Sequence, residues 1–331
     1  MTFWRGRDAK AFHARYFADE PVELSQLPTF RGENFPASGP LCWLDQPHAF
    51  GLIDQKLQRG EIDETEAEIC RKWVVDGYYI AEKLIDAETL DTTWAAYQSA
   101  LDAGRLGPVL EGRDGNDPYP ERKLDPHLIV PEVAALQAHP AIRRLTDLFF
   151  GRKTVPFQTI MGHKGSQQAA HSDAIHMTTY PLGYLVANWI AFEDIHADSG
   201  PLVYYPKSHR LPYLLSAEVG IPAGSFEKNG YKVYHERYEP MIASHCQKYG
   251  LEKRTFVAAK GDVLFWHSNL IHGGSPRADY AYTRKALVCH YFAQGAVTYH
   301  DLSGVPTRLH KKGMYRPIRE DRSRRPIKAG V

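Results

Sequence analysis

Three side chains of this sequence have the types and the order needed to bind one metal ion. His171 and Asp173 are separated by Ser172, which is interpreted as a spacer, and His272 follows much later, before a glycine. Two imidazole nitrogens and one carboxylate oxygen can occupy one face of a ferrous ion and leave the opposite face open for other ligands. The His-x-Asp spacing is a weak signal by itself, because a chain with 16 histidines and 39 acidic residues contains it by chance. Its meaning depends on the elements around it.

The second half of the chain is predicted to form the short strands that position these side chains. Beyond residue 150, apolar and polar residues alternate, and Gly and Pro turns interrupt the alternating segments. The predicted strands span residues 154–161, 184–192, 201–205, 255–258, 262–266 and 285–292. Such strands are typical of an antiparallel barrel or jelly roll, whose open end gathers residues that are distant in sequence.

The first half of the chain is predicted to supply a helical buttress over 61–150. Its helices are predicted at 65–75, 87–103 and 141–150, with a short strand at 78–81. Asp86 has the residue type of a helix N-cap, and glycines follow the expected helix ends. Residues 1–60 show little periodicity and are predicted to form an irregular N-terminal arm.

The composition is typical of one elaborated globular domain. Hydrophobic residues make up 43% and charged residues 24% of the 331 positions, so a core can form. A net charge of +1 does not favour binding to nucleic acid. The chain has no run of roughly 18 apolar residues, and its N-terminus lacks the apolar centre of a signal peptide. We therefore expect a cytoplasmic protein with neither a nucleic-acid nor a membrane partner.

The cysteines and the basic residues of the C-terminal segment give two further predictions. The four cysteines are scattered, so they are expected to be reduced thiols, with Cys289 in a buried strand. Residues 296–331 are rich in Lys and Arg and are predicted to form a basic C-terminal tail. Such a tail can contact an anionic partner or a neighbouring subunit, but a solvated terminus is the favoured interpretation.

Several linked motifs accompany the candidate ligands over about residues 65–295. They are Asp76-Gly77-Tyr78, His171-Ser172-Asp173, the runs 189–194, 199–202 and 206–210, and the run 261–267 leading to His272-Gly273-Gly274-Ser275. In this order and spacing, the segment resembles the phytanoyl-CoA dioxygenase (PhyH) family of Fe(II)/2-oxoglutarate-dependent oxygenases. The combination is much more specific than the three ligands alone.

The resemblance implies a mainly β fold with flanking helices, built on a double-stranded β-helix, the jelly-roll or cupin-like core. It implies that His171, Asp173 and His272 bind Fe(II), with 2-oxoglutarate as co-substrate and O2 as oxidant. Halogenating relatives have a small residue in place of the carboxylate, so Asp173 favours oxygenation. The implied reaction is hydroxylation of an unactivated C–H bond in a small organic metabolite, with release of succinate and CO2; desaturation and ring closure remain open.

His267 is an alternative third ligand, because it lies next to the strand predicted at 262–266. In the family pattern the ligand immediately precedes a glycine-rich turn. The resemblance therefore favours His272.

The co-substrate site is predicted around Arg284, since a guanidinium can bind a carboxylate through two parallel hydrogen bonds. Arg284 opens the strand at 285–292, as the family's co-substrate arginine does. Lys285 is the alternative, but it points to the opposite face if the strand is regular. The resemblance adds Trp189 and Gln158 as further 2-oxoglutarate contacts, although Trp189 has the character of a core residue too. Ser275 is a further candidate, because it could reach the carboxylate beside Arg284.

Substrate contacts are predicted from position alone. The segment 211–253 is predicted to be a lid over the core at 151–295, or else an ordinary solvated loop. The candidate residues are Lys164, Gln167, His176 and Tyr180 beside the His-x-Asp motif, and Tyr231 and Arg237 in the lid. His176 is equally well explained by packing.

Two other functions use the same residues. One is a zinc-dependent hydrolase or isomerase, and the other is a non-catalytic jelly-roll binding module. Arg284 favours the oxygenase over the hydrolase, which has no need of a buried carboxylate clamp. The intact set of ligands favours it over the binding module. Substrate identity, stereochemistry and oligomeric state are not determined by the sequence.

Overall fold

The helices and strands predicted from the apolar periods are all present, and the described part of the chain contains further elements that were not predicted. The computed structural model describes residues 27, 29–36, 41–106 and 122–306. Its helices are α1 (Ala49–Gln58), α2 (Glu64–Asp76), α3 (Ala87–Asp102), α4 (Pro131–Gln137), α5 (Pro140–Phe150), α6 (Ser225–Asn229) and α7 (Lys232–Lys248). Its strands are β1 (Tyr78–Ala81), β2 (Lys123–Leu124), β3 (Thr154–Gly162), β4 (Thr178–Tyr180), β5 (Leu185–Ala191), β6 (Leu202–Tyr204), β7 (Arg254–Phe256), β8 (Val263–His267), β9 (His272–Gly274), β10 (Ala286–Ala293), β11 (Val297–His300) and β12 (Val305–Pro306).

Helix α2 shows how local sequence determines the ends of an element. Asp63 caps its N-terminus by accepting the Glu66 N–H at 2.8 Å, and the Glu66 carboxylate accepts the Asp63 N–H at 3.1 Å. At the other end Gly77 has a φ of 76°, a left-handed conformation that glycine adopts at low cost. A Cβ at this position would collide with the imidazole of His209. Only glycine therefore allows the chain to turn here into β1.

The strands form three antiparallel sheets. A six-stranded sheet has the order β1-β8-β5-β10-β3-β2, and two three-stranded sheets have the orders β7-β6-β9 and β12-β11-β4. Strand β5 pairs with β8 on one side and with β10 on the other, both antiparallel. Strand β9 begins at His272, so this candidate ligand enters the site from the smaller β7-β6-β9 sheet.

The two faces of the six-stranded sheet pack against different layers. On β10, Leu287, Cys289 and Tyr291 belong to a large core shared with the helices, which we call the helix-side core. On the other face, side chains of β5 and β8 pack with Leu202 and Phe256 of the smaller sheet. Alternation along the strands separates the two sets, because successive side chains point to opposite faces. The helices therefore support the sheet from one face and leave the other for a site.

The cysteines agree with the expectation of reduced thiols. All four are free, and Cys289 is buried within β10. Burial raises the pKa of the Cys289 thiol to about 12, so the thiol is protonated at neutral pH. None of the helices in the described ranges combines the length and the apolar character needed to cross a membrane.

Two terminal segments differ from their predicted character. Helix α1 lies inside the segment predicted to be an irregular arm, and it forms because Ala49 and Ile53 are buried one turn apart. Strands β11 and β12 lie inside the predicted basic tail, where Val297 and Tyr299 are buried and β11 pairs with β4. The remaining arm residues 1–26, 28 and 37–40, and tail residues 307–331, lie outside the described residues.

The predicted lid at 211–253 contains a long helix. In α7 the side chains of Tyr234, Tyr238 and Ile242 recur every four residues and are buried. They pack with Ile175 and Ile271, which lie close in sequence to the candidate ligands. The interpretation as a solvated loop is wrong for α7, because its polar residues occupy only the outer face of an amphipathic helix.

Candidate metal centre

Two paired segments bring the candidate ligands together. The main chains of His171 and His272 form a reciprocal pair of hydrogen bonds, each 2.8 Å long. Asp173 then begins a single helical turn, and the following amide of Ala174 donates to the Ser268 carbonyl at 3.1 Å. The main chain itself therefore sets the separation of the three side chains.

The three side chains converge on one point. His171, Asp173 and His272 each offer a ligand atom within 4.8 Å of the other two. Oδ1 of Asp173 lies 3.7 Å from Nε2 of His171 and 3.6 Å from Nε2 of His272. All three residues are at most 6% exposed. A buried carboxylate facing two imidazoles is the donor set that suits a ferrous ion.

Hydrogen bonds determine which imidazole nitrogens face the point of convergence. Nδ1 of His171 lies 2.8 Å from the Ala169 carbonyl oxygen, and Nδ1 of His272 lies 3.0 Å from that of Leu270. Since a carbonyl only accepts, each Nδ1 carries the proton and donates it. In a neutral ring, the Nε2 that faces Oδ1 of Asp173 is then the nitrogen with the free lone pair. The residues present therefore fit a bound metal ion, with both imidazoles already oriented.

The electrostatics favour the metal-binding protonation states. Burial, reinforced by the neighbouring His272, lowers the pKa of His171 to about 4. Burial alone would raise the pKa of the Asp173 carboxyl, but the nearby His272 and His290 bring it below its ordinary value. At neutral pH the His171 imidazole is neutral and the carboxylate is ionised, as metal binding requires.

Sequence reasoning missed two residues that contact the second carboxylate oxygen. Nε1 of Trp266 donates to Oδ2 of Asp173 at 2.8 Å, and Nε2 of His290 lies 3.7 Å from the same oxygen. Alternation along the predicted strand was an available signal, since His290 is six residues after Arg284 and shares its face. Trp266 likewise shares a face of β8 with Leu264.

His267 lies on the other face of β8 from Trp266. Its Nε2 is 3.2 Å from Oδ2 of Asp45, and its ring lies 6.2 Å from that of Trp73 in the helix-side core. Of the two candidates for the third ligand, His272 is therefore the one that adjoins Asp173.

Arg284 is buried next to the C-terminal end of β5, because Ala286 of β10 is paired with Ala191. It precedes β10 by two residues, because that strand begins at Ala286, one residue later than predicted. Its Nη1 donates to the Gly200 carbonyl at 2.8 Å, and its guanidinium carbon lies 5.7 Å from the centre of the Trp189 ring. Lys285 points to the opposite face, where its Nζ lies 3.4 Å from the Glu193 carboxylate.

The other predicted co-substrate residues adjoin this region to different degrees. Trp189 is 1% exposed, and its Nε1 has no hydrogen-bond partner among the described residues. The Ser275 amide donates to Pro201 at 2.9 Å, next to the Gly200 carbonyl that Arg284 contacts. Gln158 is half-buried on β3 and shares a face with Ile160, which is paired with Val288.

The predicted substrate residues separate into two groups. The ring of His176 lies 6.1 Å from that of His171, 4.8 Å from that of Tyr234 and 5.9 Å from that of Tyr231. The structure thus brings His176 and Tyr231 together beside the triad.

The remaining four substrate candidates are not part of that group of rings. Tyr180 stacks on Phe35 at 4.8 Å in a separate aromatic core. Arg237 is exposed and donates to the Gly220 carbonyl at 2.8 Å. The side-chain oxygen of Gln167 accepts the Arg277 N–H at 3.1 Å, and Lys164 is buried. Sequence proximity to the motif was therefore a poor guide to position.

Ser172 is more than a spacer. Its amide donates to the Tyr238 hydroxyl at 3.1 Å, and its own hydroxyl lies 2.9 Å from the same oxygen. These bonds attach α7 directly to the segment that carries two candidate ligands. Tyr238 could have been found from the four-residue spacing of aromatic residues in 231–242, which predicts a helix.

A buried set of two histidines and one aspartate, next to antiparallel sheets, is typical of a class of mononuclear metal-binding proteins. A family model described as "Phytanoyl-CoA dioxygenase (PhyH)" matches residues 73–279. The chain belongs to the phytanoyl-CoA dioxygenase family, as its linked motifs predict.

Curated relatives agree with this assignment. The chain is 28% identical to the peroxisomal phytanoyl-CoA dioxygenase of Homo sapiens over 174 residues, which are 50% of this chain and 47% of that protein. It is 28% identical to the enzyme of Rattus norvegicus over 163 residues, which are 46% and 44% of the two chains. The matches thus span about half the length of these relatives.

Solved structures share the fold. The epimerase SnoN from nogalamycin biosynthesis, in complex with Fe3+, alpha ketoglutarate and nogalamycin RO, has a TM-score of 0.53 at 19% identity, covering 70% of this chain and 85% of that one. EctD from S. alaskensis with 2-oxoglutarate and 5-hydroxyectoine has a TM-score of 0.53 at 15% identity, covering 77% and 86%. The carbocyclase SnoK has a TM-score of 0.55 at 15% identity, covering 78% and 89%.

Proposed function

We propose that this chain is a mononuclear non-haem Fe(II), 2-oxoglutarate-dependent dioxygenase. Its reaction is the hydroxylation of an unactivated C–H bond in a small organic metabolite, with release of succinate and CO2. The observation that carries the proposal is the buried set of His171, Asp173 and His272 in a member of the phytanoyl-CoA dioxygenase family. Two proteins of similar fold are described with iron or with 2-oxoglutarate, which supports the same cofactors here.

The proposed core is a double-stranded β-helix, because a six-stranded antiparallel sheet faces a smaller antiparallel sheet with the site at their junction. The proposed oxygenase domain spans 61–295, with β11 and β12 added at its end. A cytoplasmic location and a small-molecule partner, with no nucleic acid, belong to the same proposal.

The proposed metal site uses two histidines as nitrogen ligands and one aspartate as an oxygen ligand. When bound, Fe(II) and 2-oxoglutarate together supply the oxidising chemistry. His171 and His272 would bind the metal ion through Nε2, and their Nδ1–H groups keep both rings oriented through main-chain carbonyls. Asp173 would supply the negative charge and would fill the ligand position that the small residue of halogenating relatives leaves for a halide.

Arg284 is the proposed anchor for the distal carboxylate of 2-oxoglutarate. The Gly200 carbonyl and the Trp189 ring hold its guanidinium in one orientation. A fixed guanidinium can donate two parallel hydrogen bonds to a carboxylate. The buried Nε1 of Trp189 is a further donor on the same face, and Ser275 and Gln158 are proposed as secondary contacts.

The proposed substrate site lies beside the triad, under α7. The ring of His176 lies beside those of Tyr234 and of Tyr231, which is 48% exposed. Nδ1 of His176 and the hydroxyl of Tyr234 are buried without a hydrogen-bond partner among the described residues. Both atoms are therefore suited to contact polar groups of a substrate. Lys164, Gln167, Tyr180 and Arg237 are weaker candidates, because none belongs to this group of rings.

The test is succinate formation from 2-oxoglutarate by protein reconstituted anaerobically with Fe(II), then exposed to O2 with a panel of metabolites. We expect succinate from the parent and almost none from Asp173→Ala or Arg284→Ala. Lys285→Ala is the matched control, since Lys285 adjoins Arg284 but faces the other way. Product analysis by mass spectrometry then distinguishes hydroxylation from epimerisation or ring closure.

Two results would contradict the proposal. The first is succinate formation that survives both Asp173→Ala and Arg284→Ala. The second is hydrolysis or isomerisation by Zn(II)-loaded protein, without use of 2-oxoglutarate, which would favour the zinc enzyme.

A further inference from the structure

The two oxygens of the Asp173 carboxylate have different surroundings. Oδ1 faces Nε2 of both His171 and His272 at 3.7 and 3.6 Å. Oδ2 accepts the indole N–H of Trp266 at 2.8 Å and has Nε2 of His290 at 3.7 Å. Oδ1 thus faces the proposed metal position, whereas Oδ2 faces the six-stranded sheet.

Strand register explains how the sheet contacts Oδ2. Ala187 of β5 is paired with Trp266 on β8 and with His290 on β10, so the three residues form one row. Directly paired residues on antiparallel strands project to the same face. The central member of the row is only a methyl group, which leaves a slot between two large rings. The two rings on either side of it both face Oδ2 of Asp173.

The row lies inside paired strands, whereas Asp173 does not. Ala187, Trp266 and His290 are at most 3% exposed and lie inside paired strands. The Trp266 ring also packs 4.8 Å from the His272 ring, so it contacts two members of the triad. Asp173, by contrast, lies in a short helical turn between strands. Groups on strands position a site more accurately than groups on loops.

A carboxylate bound through one oxygen leaves more positions on the metal than one bound through two. With one oxygen from Asp173 and two histidine nitrogens, the protein would use one face of a bound metal ion and would leave the other open. If Oδ2 also turned to the metal, it would take a further position. The Trp266 N–H opposes that rotation, because a hydrogen bond to an ionised acceptor is stronger than one between neutral groups.

We infer that Trp266 and His290 are positioning residues that hold Oδ2 of Asp173 and make this carboxylate a one-oxygen ligand. Trp266 is the dominant partner because its contact has hydrogen-bond length, whereas the His290 contact is longer. The inference rests on the metal site of the proposed function, but not on 2-oxoglutarate chemistry or on a substrate.

The experiment measures metal binding under anaerobic conditions, with Co(II) as a spectroscopic probe and Fe(II) by competition. In Trp266→Phe the ring remains but the N–H is lost, and we expect metal affinity to fall roughly 10-fold, as for other outer contacts of metal ligands. We also expect the visible absorption of bound Co(II) to change, because the carboxylate can rotate. Trp73→Phe is the control, since Trp73 is equally buried but stacks on Phe149 in the helix-side core.

The outcomes separate the inference from the proposed function. Parent-like affinity and an unchanged Co(II) spectrum in Trp266→Phe would overturn the inference. Parent protein that binds Co(II) no more tightly than Asp173→Ala would instead overturn the metal site itself. If Trp266→Phe does not fold, as judged by thermal unfolding, His290→Phe carries the test, with a smaller loss of affinity expected and an unchanged affinity and spectrum as the contrary result.

Discussion

Two adjacent residues of β8 show how differently the two faces of the large sheet are used. Trp266 points to the site face and donates to Asp173, whereas His267 points to the helix-side core and contacts Asp45. By residue type alone, His267 is the better metal ligand. The face to which a strand directs each side chain, and not residue type, therefore decides which one adjoins the metal site.

The largest expected contrast is between the two histidines at 267 and 272. His272→Ala should weaken Fe(II) binding by more than the roughly 100-fold that loss of an outer contact can cause, because a ligand is removed. His267→Gln should leave metal stoichiometry unchanged. It should instead destabilise the protein by about 1–3 kcal/mol, since the Asp45 contact is disturbed. Calorimetric metal titration and thermal unfolding measure the two effects. Loss of metal binding in His267→Gln would contradict the prediction that only the site face of β8 adjoins the metal.

The next contrast lies between Arg284 and Lys285. Arg284→Ala should raise the Kd for 2-oxoglutarate roughly 100-fold, the equivalent of losing charge-assisted hydrogen bonds of about 1.5–3 kcal/mol. Lys285→Ala should change it less than about twofold, because Lys285 faces away from Arg284 and its half-buried contact is with the Glu193 carboxylate. Binding to the metal-loaded protein under anaerobic conditions checks both values. An equal change of Kd in the two variants would contradict the assignment of these side chains to opposite faces.

A third prediction concerns pH and the helix-side core. Burial, together with the neighbouring His267 and Arg210, lowers the pKa of His209 from 6.5 to about 3. Between these values the unfolded chain binds more protons than the folded one, so stability is lost as pH falls from about 6.5 towards about 3. His209→Gln should flatten this part of the stability curve in metal-free protein. Chemical unfolding at several pH values measures it, and an unchanged slope would count against the buried neutral imidazole.

The smallest expected effect concerns the link between α7 and the ligand segment. Tyr238→Phe removes the hydroxyl that contacts Ser172 and should cost about 1 kcal/mol of stability. Amide hydrogen exchange should increase in α7 and around residues 171–173 together. Tyr249→Phe is the control, since Tyr249 is 43% exposed at the end of α7. Faster exchange confined to α7 would mean that the two segments are not coupled.

Much of the fold was accessible from the sequence because its signals are local. The strand at 78–81 and the helix beginning at Ala87 were predicted from period and capping, and β3, β5, β8 and β10 agree within one or two residues. Helix α7 was missed because two of its four buried residues are tyrosines, which are also common in loops. Its four-residue spacing becomes decisive only when the layer beneath it is known.

The sequence by itself determined the family, the strand periods and the residues with the chemistry to bind a metal ion. Spacing and residue type are properties of the chain, so the sequence alone shows them. Only the tertiary structure decided that His272 and not His267 adjoins Asp173, that Tyr180 lies in a separate core, and that Trp266 and His290 hold the second carboxylate oxygen. These relations depend on pairing between strands that are distant in sequence. Local sequence patterns do not predict such pairing.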